Sequence, residues 1–214
     1  MASRAGVPAA PTSAATQHVL LVAAVTATSV AAAYGFSRLT GLIQTAFPMP
    51  VGVPALVTAA LLTAWAPRRY GWQWGSTRRH WRLLVGSALG VVTVVVAFRS
   101  LAGQVPYTPS FAEVVVVPLG EEGLFRGFLL VTVAGVLAPA LTPARAGWAA
   151  VGISSVAFGV GHLGNLGYVP TSFVLVQAAA ATLFGALAGW MRLRTDSLAG
   201  PVILHAAMNG AAVL

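Results

Sequence analysis

Glu121, Glu122 and Arg126 stand together in the stretch PLGEEGLFRGFLL, Pro118 to Leu130, which otherwise reads as apolar and membrane-spanning. On a helix, Glu122 and Arg126 fall at i and i+4 and can pair, which offsets the cost of one buried charge. Glu121 points about 100° away round the same helix and is left to meet something else. Two more polar sites lie in later apolar runs. They are His162 in SVAFGVGHLGN, and His205 with Asn209 in LHAAMNG, again at i and i+4 and so on one helix face. An ionisable group inside a span costs about 2.5–3.5 kcal/mol on insertion scales, so such residues point to function by default. A carboxylate, two histidines and an amide from three helices are suited to activating water. The carboxylate takes a proton, the histidines orient the water or bind a metal, and the amide steadies an oxyanion. A structural role competes at each position, an ion pair for Glu122 with Arg126 and an interhelical hydrogen bond for a single histidine. The chemistry therefore rests on the set.

The elements that must position this set are membrane helices. Of 214 residues, 57% are hydrophobic and 7% charged, and the mean hydropathy is +0.83, far from a soluble domain. There is no cysteine, which excludes disulfides and thiolate metal sites. Apolar runs extend over His18 to Phe36, Phe47 to Ala66, Leu83 to Phe98, Phe111 to Leu141, Gly147 to Leu163, Val169 to Met191 and Leu198 to Leu214. Backbone groups in lipid must be satisfied internally, so these are helices. The expected fold is an all-α transmembrane bundle of seven spans, or eight if the fourth run divides, around an intramembrane polar cavity. A single helix over Phe111 to Leu141 would rise about 46 Å against a hydrocarbon core of about 30 Å, so Pro118 and Gly120 are expected to kink it.

Every basic residue is an arginine, and the net charge is +8. With seven crossings, Arg4, Arg68, Arg69, Arg78, Arg79, Arg82, Arg145, Arg192 and Arg194 share one side, while Arg38 and Arg99 take the other. Short arginine-rich connections face the cytoplasm, so the N-terminus is expected there. All six tryptophans fall near that same face, as an aromatic belt would. Topology thus accounts for the positive charge, and nucleic acid is not expected as a partner. Residues 1–17, rich in Ala, Pro, Ser and Thr, read as a disordered tail before an integral membrane domain over 18–214. The first span reads as uncleaved, because it is long for a signal peptide. Gly185 and Gly189 form a small-xxx-small pair suited to helix packing. Arginine-only basicity and richness in Ala, Gly and Val suit a GC-rich genome and a bacterial cytoplasmic membrane.

In order along the chain, EEGLFR fits E-E-x-x-x-R, FGVGH fits F-x-x-x-H and HAAMN fits H-x-x-x-N. This ordered trio, within the motif-bearing core 111–214, resembles the CPBP family of intramembrane metalloproteases, which includes CAAX prenyl proteases and bacteriocin-processing, Abi-like proteins. The resemblance implies a helical bundle with a polar cavity, with Glu121 activating water and Glu122 and Arg126 completing the first motif. It further implies that Phe158 walls the cavity beside His162, that His162 and His205 hold the water or a metal, and that Asn209 stabilises the oxyanion. The substrate implied is a membrane-associated peptide or protein, prenylated and CAAX-like in the founding members. Metal use stays open on the residues alone. H-E-x-x-H is absent, yet two histidines with Glu121 or Glu122 could hold a divalent ion such as zinc, and the same groups could orient water without one.

The expected function is accordingly an intramembrane endopeptidase. A non-catalytic immunity or scaffold protein of the same family is the alternative, and a proton-coupled transporter is disfavoured because the polar residues cluster rather than line a path. One geometric demand remains. Counting depth along straight spans separates His162 from His205 by about 13 Å, so tilted or offset helices must bring them level.

Overall fold

The computed structural model describes residues 14–46, 52–75, 77–102 and 108–211. The described residues are mostly helical: α1 (Ala14–Ala46), α2 (Val53–Thr63), α3 (Trp81–Ala102), α4 (Val117–Glu122), α5 (Leu130–Leu137), α6 (Pro143–His162), α7 (Thr171–Thr195) and α8 (Ala199–Gly210). Among the described residues there is no β-strand, only an isolated bridge between Leu166 and Val169. Residues 1–13 of the expected tail lie outside the described residues, and 14–17 belong to α1. Residues 47–51 and 212–214, at the ends of two expected spans, also lie outside them.

Among the described residues, four helical segments are long and apolar enough to cross a membrane: Thr16–Ile43, Thr77–Ala97, Pro143–Asn165 and Thr171–Thr195. Helices α2 and α8 have 11 and 12 residues, rising about 16 and 18 Å of a roughly 30 Å core. Apolar sequence alone did not foretell this, because hydropathy continues through turns that end a helix.

The fourth run departs from a simple kinked helix. Its start is a reciprocal cap: Glu113 Oε2 accepts from the Ser110 N–H at 2.7 Å and the Ser110 hydroxyl at 2.8 Å, while Ser110 Oγ accepts from the Glu113 N–H at 3.3 Å. This is the S-x-x-E capping box, so Glu113 is an organiser of the helix start. Wide π-helical turns over Ala112–Val116 and Gly123–Leu129 flank α4 and join it to α5 in one continuous rod that stops at Leu137. Pro118 stands in the first turn of α4, directly after the wide turn over Ala112–Val116. A proline ring presses on the carbonyl four residues back, and the wide turn just before α4 absorbs that strain. Gly120 serves close approach: a Cβ there would lie 2.5 Å from the Leu56 backbone nitrogen, so α2 and α4 touch backbone to backbone.

Two apolar clusters hold the bundle. Leu84, Phe158, Ala181, Phe184, Ala188, Met191 and Leu204 join α3, α6, α7 and α8. Leu130, Val133, Leu137, Ala146, Ala150, Val151 and Ile153 join α5 to α6, and Leu21, Val22 and Val25 of α1 pack on them. Helices α6 and α7 meet through Gly159 against Thr182, Gly185 against Ser155, and Gly189 against Val151, which agrees with the expected small-residue packing.

The ends of the bundle differ. At the arginine-rich end, residues 64–75 are latched to the α7–α8 corner. Leu198 N–H donates to Gly71 O at 2.8 Å, Arg192 pairs with Asp196 at 2.8 Å and reaches Arg69 O at 3.4 Å, and Gln73 donates to Asp196 O at 3.0 Å. Asp196 makes the corner in the left-handed region, at φ 48°. Trp65, Trp74, Trp81 and Trp148 are exposed at this end, whereas Trp72 turns inward and donates its indole N–H to Thr63 at 2.8 Å. At the other end, Arg38 donates to the carbonyls of Gly164 and Leu166, each at 3.1 Å, tying α1 to the loop after His162.

Candidate active site

The polar motifs converge between α4, α6 and α8. Glu122 and Arg126 are 0% exposed and form the expected pair, Nη1 to Oε1 at 3.3 Å. Glu122 has a second partner that local spacing does not encode: His205 Nδ1 lies 2.9 Å from the same Oε1. A carboxylate can only accept, so the Nδ1 hydrogen is on His205, and Nε2 is left to face the cavity. There it lies 3.8 Å from Glu121 Oε2, whose side chain is 27% exposed. The adjacent glutamates thus part as helix geometry requires, one inward beneath the site and one into the open space.

Arg126 is held by more than its carboxylate. Its guanidinium carbon sits 4.3 Å from the centroid of the Phe158 ring and 5.9 Å from that of Phe125, cation–π contacts that gain weight when desolvated. Nε and Nη2 have no hydrogen-bond partner among the described residues. Gly185 makes the room: a Cβ there would lie 2.9 Å from Arg126 Nη2. Phe158 is therefore more than a cavity wall, because it carries the buried cation on its face.

The same ring brings the histidines level. The ring centroids of His162 and His205 lie 4.8 and 5.9 Å from that of Phe158, both in edge-on orientation. His162 Nδ1 donates to Phe158 O at 2.9 Å, leaving its Nε2 uncommitted by that bond. Phe184 closes on His205 at 5.2 Å, and the Ser154 hydroxyl donates to Phe125 O at 2.8 Å, steadying the turn that carries Arg126. Asn209 Nδ2 donates to Glu113 O at 2.7 Å, joining α8 to the start of the rod.

A cavity of about 710 Å³ contains these groups. Glu121, Phe125, Phe158, His162, His205 and Asn209 line it, with Asn165 and Gln177, bonded to each other at 3.0 Å. Glu122 and Arg126 lie beneath it. Phe125 and Phe184 escaped the reading of the motifs, and Gly185 was legible only as a packing residue, because each acts across helices on a residue remote in sequence.

Both histidines have Nδ1 engaged, one by a carboxylate and one by a carbonyl, which is how imidazoles that offer Nε2 to a metal are oriented. Among the described residues, however, no three His, Asp or Glu side chains are grouped closely enough to hold an ion. The ring chemistry fits and the spacing does not.

A family model described as type II CAAX prenyl endopeptidase Rce1-like matches residues 103–211, just over half of the chain and all of the site. Neither a curated protein nor a solved structure matches the chain.

Proposed function

Because the chain belongs to the Rce1-like family of type II CAAX prenyl endopeptidases, we propose that it is an intramembrane endopeptidase hydrolysing a peptide bond of a membrane-associated substrate. The observation that carries this is the chain Arg126–Glu122–His205–Glu121, in which a fully buried carboxylate orients an imidazole toward a second carboxylate that faces a cavity. Water held between Glu121 and His205 Nε2 attacks the scissile carbonyl carbon as Glu121 takes its proton. Asn209 uses one N–H on Glu113 O and has a second for the tetrahedral oxyanion. When the C–N bond breaks, Glu121 returns the proton to the leaving nitrogen. Glu122 does not exchange protons with substrate; it keeps His205 in the Nε2-accepting tautomer and neutralises Arg126.

With no third ligand grouped beside His162 and His205 among the described residues, the proton path above is carried by the chain's own residues. Arginine-only basicity and richness in Ala, Gly and Val support a bacterial cytoplasmic membrane, and the arginine distribution supports a cytoplasmic N-terminus and seven crossings in which α2 and α8 span only part of the core.

The decisive experiment is cleavage of a peptide library by reconstituted protein carrying Glu121→Ala or His205→Ala. Both variants are expected to insert and to lose cleavage. Full activity in both would sink the assignment, and a biological phenotype that survives Glu121→Ala would point instead to a non-catalytic immunity or scaffold role.

A further inference from the structure

The motif residues Glu121, His162, His205 and Asn209 account for only part of the cavity's polar lining, because the amides of Asn165 and Gln177 also belong to it. Gln177 stands on the inward face of α7 with Val174 and Ala181, which are 0% and 6% exposed. Thr182 and Thr195 on the same helix return their hydroxyls to carbonyls one turn back, Ala178 O and Met191 O, each at 2.9 Å. Gln177 does not. Its Oε1 accepts from Asn165 Nδ2 at 3.0 Å, and its own two N–H groups have no partner among the described residues. Asn165 Oδ1 is in the same condition. Amide hydrogen bonds left unmade away from water are costly, and this pair offers donors beside an acceptor, the complement of a peptide group.

The pair is more than a staple for the 163–168 loop, since Arg38 already holds that loop through Gly164 O and Leu166 O at 3.1 Å each. Small residues, Ala33, Gly161, Ala180 and Ala181, share the lining, so main chain can come close. We infer that Asn165 and Gln177 form a subsite for the backbone of the substrate. Gln177 donates to a substrate carbonyl and Asn165 Oδ1 accepts from a substrate N–H, so an extended segment is held whatever its side chains. Gln177 lies one turn of α7, about 5.4 Å, from Ala181, which belongs to the same cluster as Phe158, the ring that both histidines contact. At about 3.3 Å per residue of extended chain, the peptide group held there is about two residues from the scissile bond. This contact is made equally before and during attack, so it acts on KM rather than kcat.

The inference rests on the protease reading for the bond that is cut but not for the binding of backbone, and the two fail separately. Gln177→Glu is the informative variant: its carboxylate still accepts from Asn165 Nδ2 and keeps the loop bond, but it has no N–H to give. In the reconstituted full chain it is expected to raise KM for a cleaved peptide about ten-fold, with kcat and Tm little changed. A wild-type KM in Gln177→Glu overturns the subsite. Binding is read apart from cleavage in detergent, using Glu121→Ala protein and a fluorescent peptide of alternating valine and threonine, residues that favour extended chain. The amide peptide is expected to bind about ten-fold more tightly than the same peptide with backbone esters, which lack the N–H and accept more weakly. Adding Gln177→Leu, which removes the donor and frees Asn165, should abolish most of that preference. No binding of the amide peptide, or an equal preference with and without Gln177→Leu, overturns the subsite. Gln177-dependent binding with no cleavage by the wild-type protein would count against the protease reading and leave the subsite standing.

Discussion

His205 Nδ1 lies 2.9 Å from Glu122 Oε1 across 83 positions of sequence, and that oxygen is also the partner of Arg126 Nη1 at 3.3 Å. One atom therefore answers for a buried cation and for the orientation of an imidazole, while its neighbour Glu121 faces the cavity. Residues adjacent in the chain should fail in different ways when changed.

Glu122→Gln leaves Arg126 buried without its counter-charge, a loss of about 3–5 kcal/mol for a broken buried pair. Glu121→Gln removes a partly exposed group with a long 3.8 Å contact, and stability should hardly move. Thermal unfolding in detergent should show a large drop in Tm for the first and little for the second, with cleavage lost in both. Equal Tm values would refute the division of labour.

Gly185→Ala should destabilise by about 1–3 kcal/mol through overpacking, because its Cβ would meet Arg126 Nη2 at 2.9 Å and Ser155 Cα at 3.0 Å. Gly135→Ala is the control, with nothing within 4 Å of the added carbon, and replacing a mid-helix glycine there should gain a few tenths of a kcal/mol or more. The two variants compared by unfolding in the same detergent check this.

Phe158→Leu keeps an apolar side chain but removes the ring beneath Arg126 and the edge contacts to both histidines. The cation–π loss is about 2 kcal/mol for a desolvated contact. Tm should fall, and turnover should fall further than that of a leucine substitution at Phe184, which touches only His205 of the two histidines. Unchanged turnover in a folded Phe158→Leu protein would show that the ring does not position the site.

Metal use is read by elemental analysis of purified protein. If His162 and His205 hold an ion, it co-purifies with the wild type and is lost from His162→Ala and His205→Ala. Cleavage that persists in protein shown to be free of bound ion would remove the metal from the mechanism and leave Glu121 with water.

What the sequence disclosed follows from range. Glu122 with Arg126, the outward turn of Glu121 and the sharing of a face by His205 and Asn209 are matters of helical period, legible within one turn. The capping box of Ser110 and Glu113 is equally local, an S-x-x-E spacing at the start of an apolar run. The bond from Glu122 to His205, the bed of Phe158 under Arg126 and the space left by Gly185 arise only when three helices pack, and no spacing encodes them. The 13 Å offset between the histidines came from treating each apolar run as a straight crossing. In the fold, α8 is short, and the rings of His162 and His205 both reach Phe158.

Helix α8 is pinned at both ends. Leu198 N–H is bonded to Gly71 O before its first turn, and Asn209 is bonded to Glu113 O in its last. Its length is thus a measured quantity, like a strut cut to fit, with His205 at one height and one bearing. An inserted residue between Gly200 and Leu204 would preserve every side chain of the site and still swing His205 by about 100°. Along this helix, natural variation should change letters freely where they face lipid, and should not change their number.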